Sequence, residues 1–387
     1  MKTISRHIRM HAKETASTFR AVCMVGPRQS GKTTLSHQLF GDKPYLNFEV
    51  PETEARVRME GVDFLRHYKN GAILDEVQRV PDLFRYLQGE LDVSRARGKF
   101  ILTGSSNFLL QEQLSQSLAG RVGYLELLPL TFAELCDARM EAADIATHIL
   151  KGGYPEIWQQ NLDPSKWMSA YIKTYIQRDV RLIKNILNLN AFDRFLHLCA
   201  GYAGQLVNRD ALGAAAGVDA KTVQSWLTVL ESSYIIFLLQ PYHNNLNKRI
   251  IKSPKLYFYD TGVLCNLLSI TSVSGLRKHP LYGNIFENWV ISEIKKNRLN
   301  SGLSDGMYFF RDSAGNEIDL IVEQDGAPKC IEVKSSAKYT PDMMKGLRYW
   351  LKNSRGNTTV LIYGGEKQAS TTDNINVVGW KEVAHIN

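Results

Sequence analysis

The chain has no Cys-x-x-Cys pair. Its five cysteines (Cys23, Cys136, Cys199, Cys265 and Cys330) are scattered and odd in number. Most sit in apolar runs. That reads as buried thiols in a reducing compartment and argues against a disulfide framework or a structural zinc. No apolar run reaches membrane-spanning length. Met1 to Arg20 is polar and basic where a secretory leader would be apolar, so none is predicted. Neither sign of charge dominates: charged residues make up 22% of the chain and the net charge is +8. This balance fits a nucleic-acid partner without requiring one. The absences together predict a cytoplasmic globular protein with no membrane partner. At 387 residues there is room for two or three domains with full-sized cores.

One stretch departs from this ordinary background. Val22 to Leu35 reads Val-Cys-Met-Val-Gly-Pro-Arg-Gln-Ser-Gly-Lys-Thr-Thr-Leu. The apolar run Val22 to Val25 predicts a buried strand. It enters a Gly-x-x-x-x-Gly-Lys-Thr loop, Gly26 to Thr33, and a helix begins at Lys32. Strand, loop and helix in this order make a phosphate-cradling P-loop. Gly26 and Gly31 let backbone N–H groups turn inward, and the helix offers its positive dipole end to the anion. Lys32 is placed to reach the β- and γ-phosphates, and the Thr33 hydroxyl to ligate Mg²⁺. Gly26, Pro27, Arg28, Gln29, Ser30, Gly31, Lys32, Thr33 and Thr34 are therefore the candidate nucleotide-binding residues, with ATP and Mg²⁺ as ligands.

Further along, Tyr45 to Phe48 predicts a second strand and Glu52 to Leu65 a helix. The apolar run Gly71 to Leu74 ends in Asp75-Glu76. Downstream of a P-loop this is the Walker B pattern. Asp75 would hold Mg²⁺, usually through water, and Glu76 would orient and polarise the attacking water. Pro81 to Leu91 predicts a helix. Lys99 to Thr103 predicts another strand, running into Gly104-Ser-Ser-Asn107. Thr103, Ser105, Ser106 and Asn107 compete for the role of γ-phosphate sensor, against plain turn chemistry. Arg121 precedes the strand Tyr124 to Leu128. It is a candidate arginine finger acting in cis or in trans, the competing reading being a surface arginine at a turn. Strands alternating with helices predict a parallel sheet covered on both faces, with ligand at the carboxyl ends of the strands.

These motifs (Gly26 to Thr33, Leu74-Asp-Glu-Val-Gln78, Leu102-Thr-Gly-Ser-Ser106 and Leu118-Ala-Gly-Arg121) resemble a family of prokaryotic AAA-type ATP-binding proteins. In that family the ATPase precedes a C-terminal domain of unknown function. Gly152-Gly-Tyr-Pro-Glu156 and Tyr171 to Val180 resemble it as well, so the likeness covers nearly the whole chain. It implies ATP binding. One departure is Glu49, where family members often carry Asp. Rings are common among AAA-type proteins, so self-association is a further expectation.

The expected domains are an ATPase over 1–150, a helical lid or linker over 151–190, a winged helix over 191–275 and a nuclease-like domain over 276–387. The lid would contain a long helix, Trp167 to Ile186, whose Arg178 is a candidate nucleotide sensor or a salt-bridged surface arginine. Asn208 and Asp219 are placed as N-caps of two helices, Asn208 to Ala216 and Ala220 to Glu231, joined by a turn at Gly217. Val223, Trp226, Leu227 and Leu230 would make the buried face of the second. Lys221, Thr222, Gln224, Ser225 and Thr228 would face outward, toward phosphates or base edges. Strands Tyr234 to Leu239 and Leu256 to Tyr259 would flank a polar wing with His243, Lys248, Arg249 and Lys252. One lysine on the candidate recognition helix does not support strong sequence-specific readout. DNA contact or interdomain contact is the better reading.

In the last region Gly283 to Lys296 predicts a helix carrying Glu287. Met307 to Arg311, Glu317 to Val322 and Cys330 to Lys334 predict strands joined by turns at Asp312 to Gly315 and Gln324 to Gly326. Residues two apart on a strand share a face, so Glu317 with Asp319, and Glu332 with Lys334, point together. If the strands are neighbours, Asp319, Glu332 and Lys334 converge. Carboxylates of this kind hold Mg²⁺ or Mn²⁺, and the lysine positions or deprotonates water for phosphodiester attack. The set resembles the PD-(D/E)xK fold of restriction endonucleases and junction resolvases, with Glu287 as the added acid and Ile318 where Pro often stands. The predicted metal ligands are thus Thr33 and Asp75 at the P-loop, and Glu287, Asp319 and Glu332 here. The predicted catalytic residues are Glu76, Arg121 and Lys334. The leading expectation is an ATPase coupled to a DNA-directed nuclease-like domain. The alternative is a nucleotide-dependent switch that binds DNA or protein without cleavage. A small-molecule kinase is a third option, disfavoured by the Asp75-Glu76 pair.

Overall fold

The computed structural model describes residues 4–105, 118–180, 186, 188–242, 252–323, 328–353 and 358–386, the side chains of 177–180 excepted. Five short strands form the first sheet: β1 Ala21–Val25, β2 Tyr45–Asn47, β3 Ala72–Asp75, β4 Phe100–Gly104 and β5 Val122–Glu126. All pair in parallel, in the order β2-β3-β4-β1-β5. β1, β3 and β4 are buried along their whole length, as apolar runs of this kind require. Because β4 lies between β1 and β3, three loops leave one edge of the sheet side by side. They are the glycine-rich loop, the turn after Asp75, and the Thr103–Ser105 strand end.

Basic as they are, the first twenty residues do not form a solvated helix. Helix Arg9–Thr18 instead docks on the sheet, with Ile8, Ala12 and Thr15 buried. Arg6 is buried as well. Two short helices follow β5, Phe132–Asp137 and Ile145–Lys151. Each starts at its own cap, a Thr131/Glu134 capping box and Asp144. The lid helix also differs: Pro164–Tyr171 is α-helical and continues as a π-helical segment, Ile172–Val180. Wider coils of this kind mark functional sites.

The second sheet has nine strands: β6 Gln205–Leu206, β7 Ile236–Pro241, β8 Lys255–Phe258, β9 Met307–Arg311, β10 Glu317–Val322, β11 Lys329–Lys334, β12 Thr358–Tyr363, β13 Ala369–Ser370 and β14 Ile375–Gly379. Their order is β13-β14-β12-β11-β10-β9-β7-β8-β6. β10 pairs antiparallel with both β9 and β11, whereas β11, β12 and β14 run parallel. β7 pairs in parallel with β9 through Gln240↔Tyr308 and Pro241↔Phe309. A winged helix separate from a nuclease-like domain is therefore not what forms. One mixed sheet crosses residue 275, because β7 has a free edge that β9 completes.

The helix pair ahead of β7 follows the sequence closely. Asn208 and Asp219 cap Arg209–Ala216 and Ala220–Ser232, and Gly217 turns in the left-handed region between them. Val223, Trp226, Leu227 and Leu230 are buried. His243, Lys248 and Arg249 lie outside the described residues.

Helix Tyr282–Asn300 ties the two sheets together. Trp289 packs on Phe132 and Trp380 at ring distances of 5.8 and 6.0 Å. Glu293 accepts from the Phe132 N–H at 2.6 Å, and Lys296 donates to the Leu130 carbonyl at 3.1 Å. Lys296 also pairs with Glu293, so neither buried charge is left alone.

Candidate functional site

The loop Gly26 to Gly31 owes its shape to backbone freedom. Gly26 has φ +149° and lies against β5's exit. A Cβ there would sit 2.1 Å from the Leu127 carbonyl oxygen. Gly31 has φ +97°, a region open to glycine at little cost. Lys32, the first residue of helix Lys32–Leu39, is buried and donates to the Gly26 and Pro27 carbonyls, both at 2.9 Å. Burial lowers its pKa, and the charges of Glu76 and Asp75 oppose that shift. Arg6 braces the loop from behind. Its guanidinium donates to the Ser30 carbonyl (2.7 Å), the Leu128 carbonyl (2.6 Å) and Glu134 (3.0 Å).

At the end of β3, Asp75 is surrounded by hydroxyls. Thr33 Oγ1 donates to it at 3.0 Å and Tyr45 Oη at 2.6 Å, and Thr103 Oγ1 donates to its other oxygen. Burial and the Asp75 charge push the Tyr45 phenol far above its ordinary range, so it stays a donor. The chain then turns sharply: Glu76 adopts φ +57° and ψ +45°, a backbone region uncommon outside glycine and frequent at functional sites. Ser105 Oγ donates to Glu76 at 3.0 Å, and Gln78 donates to the same oxygen. Asp75 and Glu76 are thereby oriented by separate strand-end hydroxyls, Thr103 and Ser105.

A cavity of about 680 Å³ opens over these groups. Its floor includes Gly31, Lys32, Thr33 and Glu76. Its roof is the lid, with Tyr171, Thr174 and Tyr175 from the π-helical turn and its approach. Arg28, Glu49 and Arg79 stand at the wall, Glu49 accepting from Arg28 at 3.0 Å with Arg79 at 3.9 Å. Thr33 and Asp75 present a hydroxyl and a carboxylate 3.0 Å apart, the hard-oxygen pair that suits Mg²⁺.

The remaining predicted residues fall elsewhere. Arg121 precedes β5 at the amino end of the sheet, whereas the P-loop leaves the carboxyl end of β1. A five-residue strand separates the two ends by about 15 Å. The Arg121 guanidinium is held by Asp92 at 2.5 Å. A role for Arg121 on a nucleotide in the same chain is thereby corrected. The Arg178 side chain, Ser106 and Asn107 lie outside what is described.

The C-terminal acids do converge. Asp319 on β10 accepts from the Val333 N–H at 2.8 Å, and Lys334 Nζ lies 2.6 Å from Glu332 and 3.5 Å from Asp319. Two residues not foreseen join them. Lys255 of β8 reaches Glu317 (2.6 Å), Glu287 (3.3 Å) and Asp319 (4.0 Å), and Tyr257 donates to Glu287 at 2.6 Å. Burial raises Glu287 to about 7, opposed by Lys255 and supported by Asp319. Burial raises Glu332 to about 8, aided by Asp319 and opposed by Lys334. Lys334 itself is raised by the same carboxylates, although burial opposes. The two partners differ because Glu332 is the more deeply enclosed. Among the described residues, no group of three or more His, Cys, Asp or Glu side chains is arranged to hold a metal ion. The expected ligand set Glu287, Asp319 and Glu332 is corrected accordingly: lysines fill the gaps between the acids.

Sequence reasoning missed Arg6, Tyr45, Gln78 and Lys255. Lys255 left a readable trace, a lone charge at the head of the apolar run Leu256 to Tyr259, since a buried lysine needs a partner. Arg6 left none.

Residues 18–136 match the model of an AAA domain. Residues 142–274 match a domain of unknown function (DUF8612), and 282–383 another (DUF4143). Uncharacterized protein Rv2008c of Mycobacterium tuberculosis is 31% identical over 357 residues, covering 92% of this chain and 78% of that one. Uncharacterized protein MJ1544 of Methanocaldococcus jannaschii is 22% identical over 339 residues, covering 77% and 70%. A solved structure, the Walker-type ATPase PABY2304 of Pyrococcus abyssi, overlays 69% of this chain with a TM-score of 0.48 and 14% identity. The AAA domain implies nucleotide binding, and no described helix is long and apolar enough to cross a membrane. The chain belongs to the family of Rv2008c, here with an AAA domain followed by DUF8612 and DUF4143 regions.

Proposed function

We propose that the protein is a nucleotide-dependent switch: an ATP hydrolase whose second sheet engages a partner without cutting it. The observation that carries the hydrolase reading is the convergence of Lys32, Thr33 and Glu76 on one cavity of about 680 Å³, with Asp75 hydrogen-bonded to Thr33 behind them. Bound Mg²⁺ would neutralise phosphate charge there. Thr33 and Asp75 are the residues that would hold it. Lys32 exchanges its bonds to the loop carbonyls for phosphate oxygens. Ser105 and Gln78 fix the Glu76 carboxylate so that it can orient water in line with the phosphate. The lid couples to this event through Tyr175, whose hydroxyl donates to the Ser105 carbonyl at 3.3 Å and the Ser233 carbonyl at 3.4 Å. One side chain thereby touches the sensor strand end and the residue that follows helix Ala220–Ser232.

DNA is the partner that this reading favours. Lys221 and Gln224 are exposed on that helix, with Arg209 and Lys252 exposed beside it. These side chains suit phosphate contact, which carries no sequence information by itself. Cleavage at Asp319, Glu332 and Lys334 has one observation in its favour, the register that joins them. Lys255, seated among the acids, weighs against it. The test has two parts. Wild type should release phosphate from ATP in the presence of Mg²⁺, with Lys32→Ala and Glu76→Gln defective. The same protein should bind duplex DNA in a salt-dependent manner and leave it intact. No turnover by wild type contradicts the hydrolase reading. DNA cleavage lost in Asp319→Ala contradicts the non-cutting one.

A further inference from the structure

We infer that the Lys255 ammonium is the resident cation of the C-terminal carboxylate cluster, in place of a divalent metal. The inference starts from position. Lys255 heads β8, which belongs to the region matched as DUF8612, whereas Glu287, Glu317 and Asp319 belong to the DUF4143 region. The lysine therefore arrives from a neighbouring strand system, carried there by the continuous nine-stranded sheet.

The second argument is space. Mg²⁺ or Mn²⁺ takes carboxylate oxygens at about 2.0–2.2 Å. Lys255 Nζ is already 2.6 Å from Glu317, 3.3 Å from Glu287 and 4.0 Å from Asp319. An ion bridging all three oxygens would compete with the ammonium for the space between them.

The third argument separates the two lysines. The Lys334 side chain is 35% exposed, and can swing away from Glu332 and Asp319 toward solvent. Lys255 cannot, because its side chain is 4% exposed, with Nζ 5.6 Å from the centroid of the Phe309 ring. Turning it away from the acids would leave a buried ammonium unpaired. Its charge is also what the cluster needs. Lys255 answers Glu317 and Asp319, with Lys334 on Asp319 and, at 3.6 Å from Glu317, Arg311. Tyr257 supplies the further hydrogen bond to Glu287. Removing Lys255 leaves the Glu317, Glu287 and Asp319 oxygens without the ammonium that now faces all three.

The test uses nucleotide-free protein carrying Asp75→Asn, which removes the carboxylate that would hold an ion at the P-loop. Manganese is titrated and followed by the loss of free Mn²⁺ signal in electron paramagnetic resonance, and thermal melts are run with and without the ion. The parent should bind no Mn²⁺ at this cluster, and its Tm should not move. Adding Lys255→Ala should create one Mn²⁺ site per chain and make Tm rise with Mn²⁺. Adding Asp319→Asn to that variant should abolish both gains. Lys255→Arg and Lys334→Ala should create no site. If Lys255→Ala fails to fold without metal, refolding in Mn²⁺ becomes the readout, and recovery supports the inference. Three results overturn it: a parent that binds Mn²⁺ in an Asp319-dependent way, a folded Lys255→Ala protein that gains neither binding nor Tm, or an unfolded one that Mn²⁺ does not rescue.

Discussion

The two acid-rich centres of this molecule are built from similar side chains and treat charge in opposite ways. At the P-loop, Asp75 and Glu76 are met by Thr33, Tyr45, Thr103, Ser105 and Gln78, all neutral donors. The nearby lysine, Lys32, bonds only loop carbonyls. At the second sheet, Glu287, Glu317, Asp319 and Glu332 are met by Lys255 and Lys334 directly. Neutral donors orient an acid without cancelling its charge, so the first centre remains able to attract a cation and a triphosphate. Ammonium groups and retained protons offset it, so the second centre is electrostatically complete. The lesson is that identical residue types, read from sequence, do not reveal whether a site is waiting for a cation or already has one.

The contrast can be broken or sharpened in order of expected effect. Arg6→Ala should be the most damaging change at the first centre. It strips Glu134, the Ser30 carbonyl and the Leu128 carbonyl of a buried partner, and should cost about 3–5 kcal/mol in chemical denaturation. Lys32→Ala should weaken ATP binding roughly 100-fold in calorimetry, the scale of lost hydrogen bonds to charged groups. Glu76→Gln should keep ATP binding and slow hydrolysis by about 100-fold or more. Equal turnover in that variant would remove Glu76 from the chemistry.

At the second centre, pH is the sharper tool. Glu287 and Glu332 hold protons in the folded state, up to about 7 and about 8, that the unfolded chain releases near 4.5. The folded state therefore binds more protons across that window, and stability falls as pH rises from about 4.5 through about 8. Glu332→Gln mimics the protonated form. Its Tm should rise relative to wild type as pH increases from 5 to 8, and a constant difference would contradict the assignment. The smallest effect belongs to Arg121→Ala. With its guanidinium on Asp92 at the far end of the sheet, turnover should change by less than about twofold. A large loss would show that a second chain's nucleotide meets it.

Much of the first centre was legible because its chemistry is local. Gly26 to Thr33 and Asp75-Glu76 are contiguous motifs, and their strands followed from apolar runs in a fully covered parallel sheet. Arg6 was not legible, since its partners Ser30, Leu128 and Glu134 are 24, 122 and 128 residues away. The caps at Asn208 and Asp219 were readable for the same reason of locality. In the second sheet, Asp319, Glu332 and Lys334 could be brought together from period-two alternation. The fusion of β7 to β9 could not, because it depends on two free strand edges that meet only in three dimensions. That fusion brings Lys255 into the cluster, so the feature that changes the reading of the acids was the least visible.

The most direct test of the account is a count of Mn²⁺ ions per wild-type chain, with and without a non-hydrolysable ATP analogue. The account predicts none without nucleotide and one with it, lost in Asp75→Asn and kept in Asp319→Asn. One ion bound without nucleotide, and lost in Asp319→Asn, would contradict it.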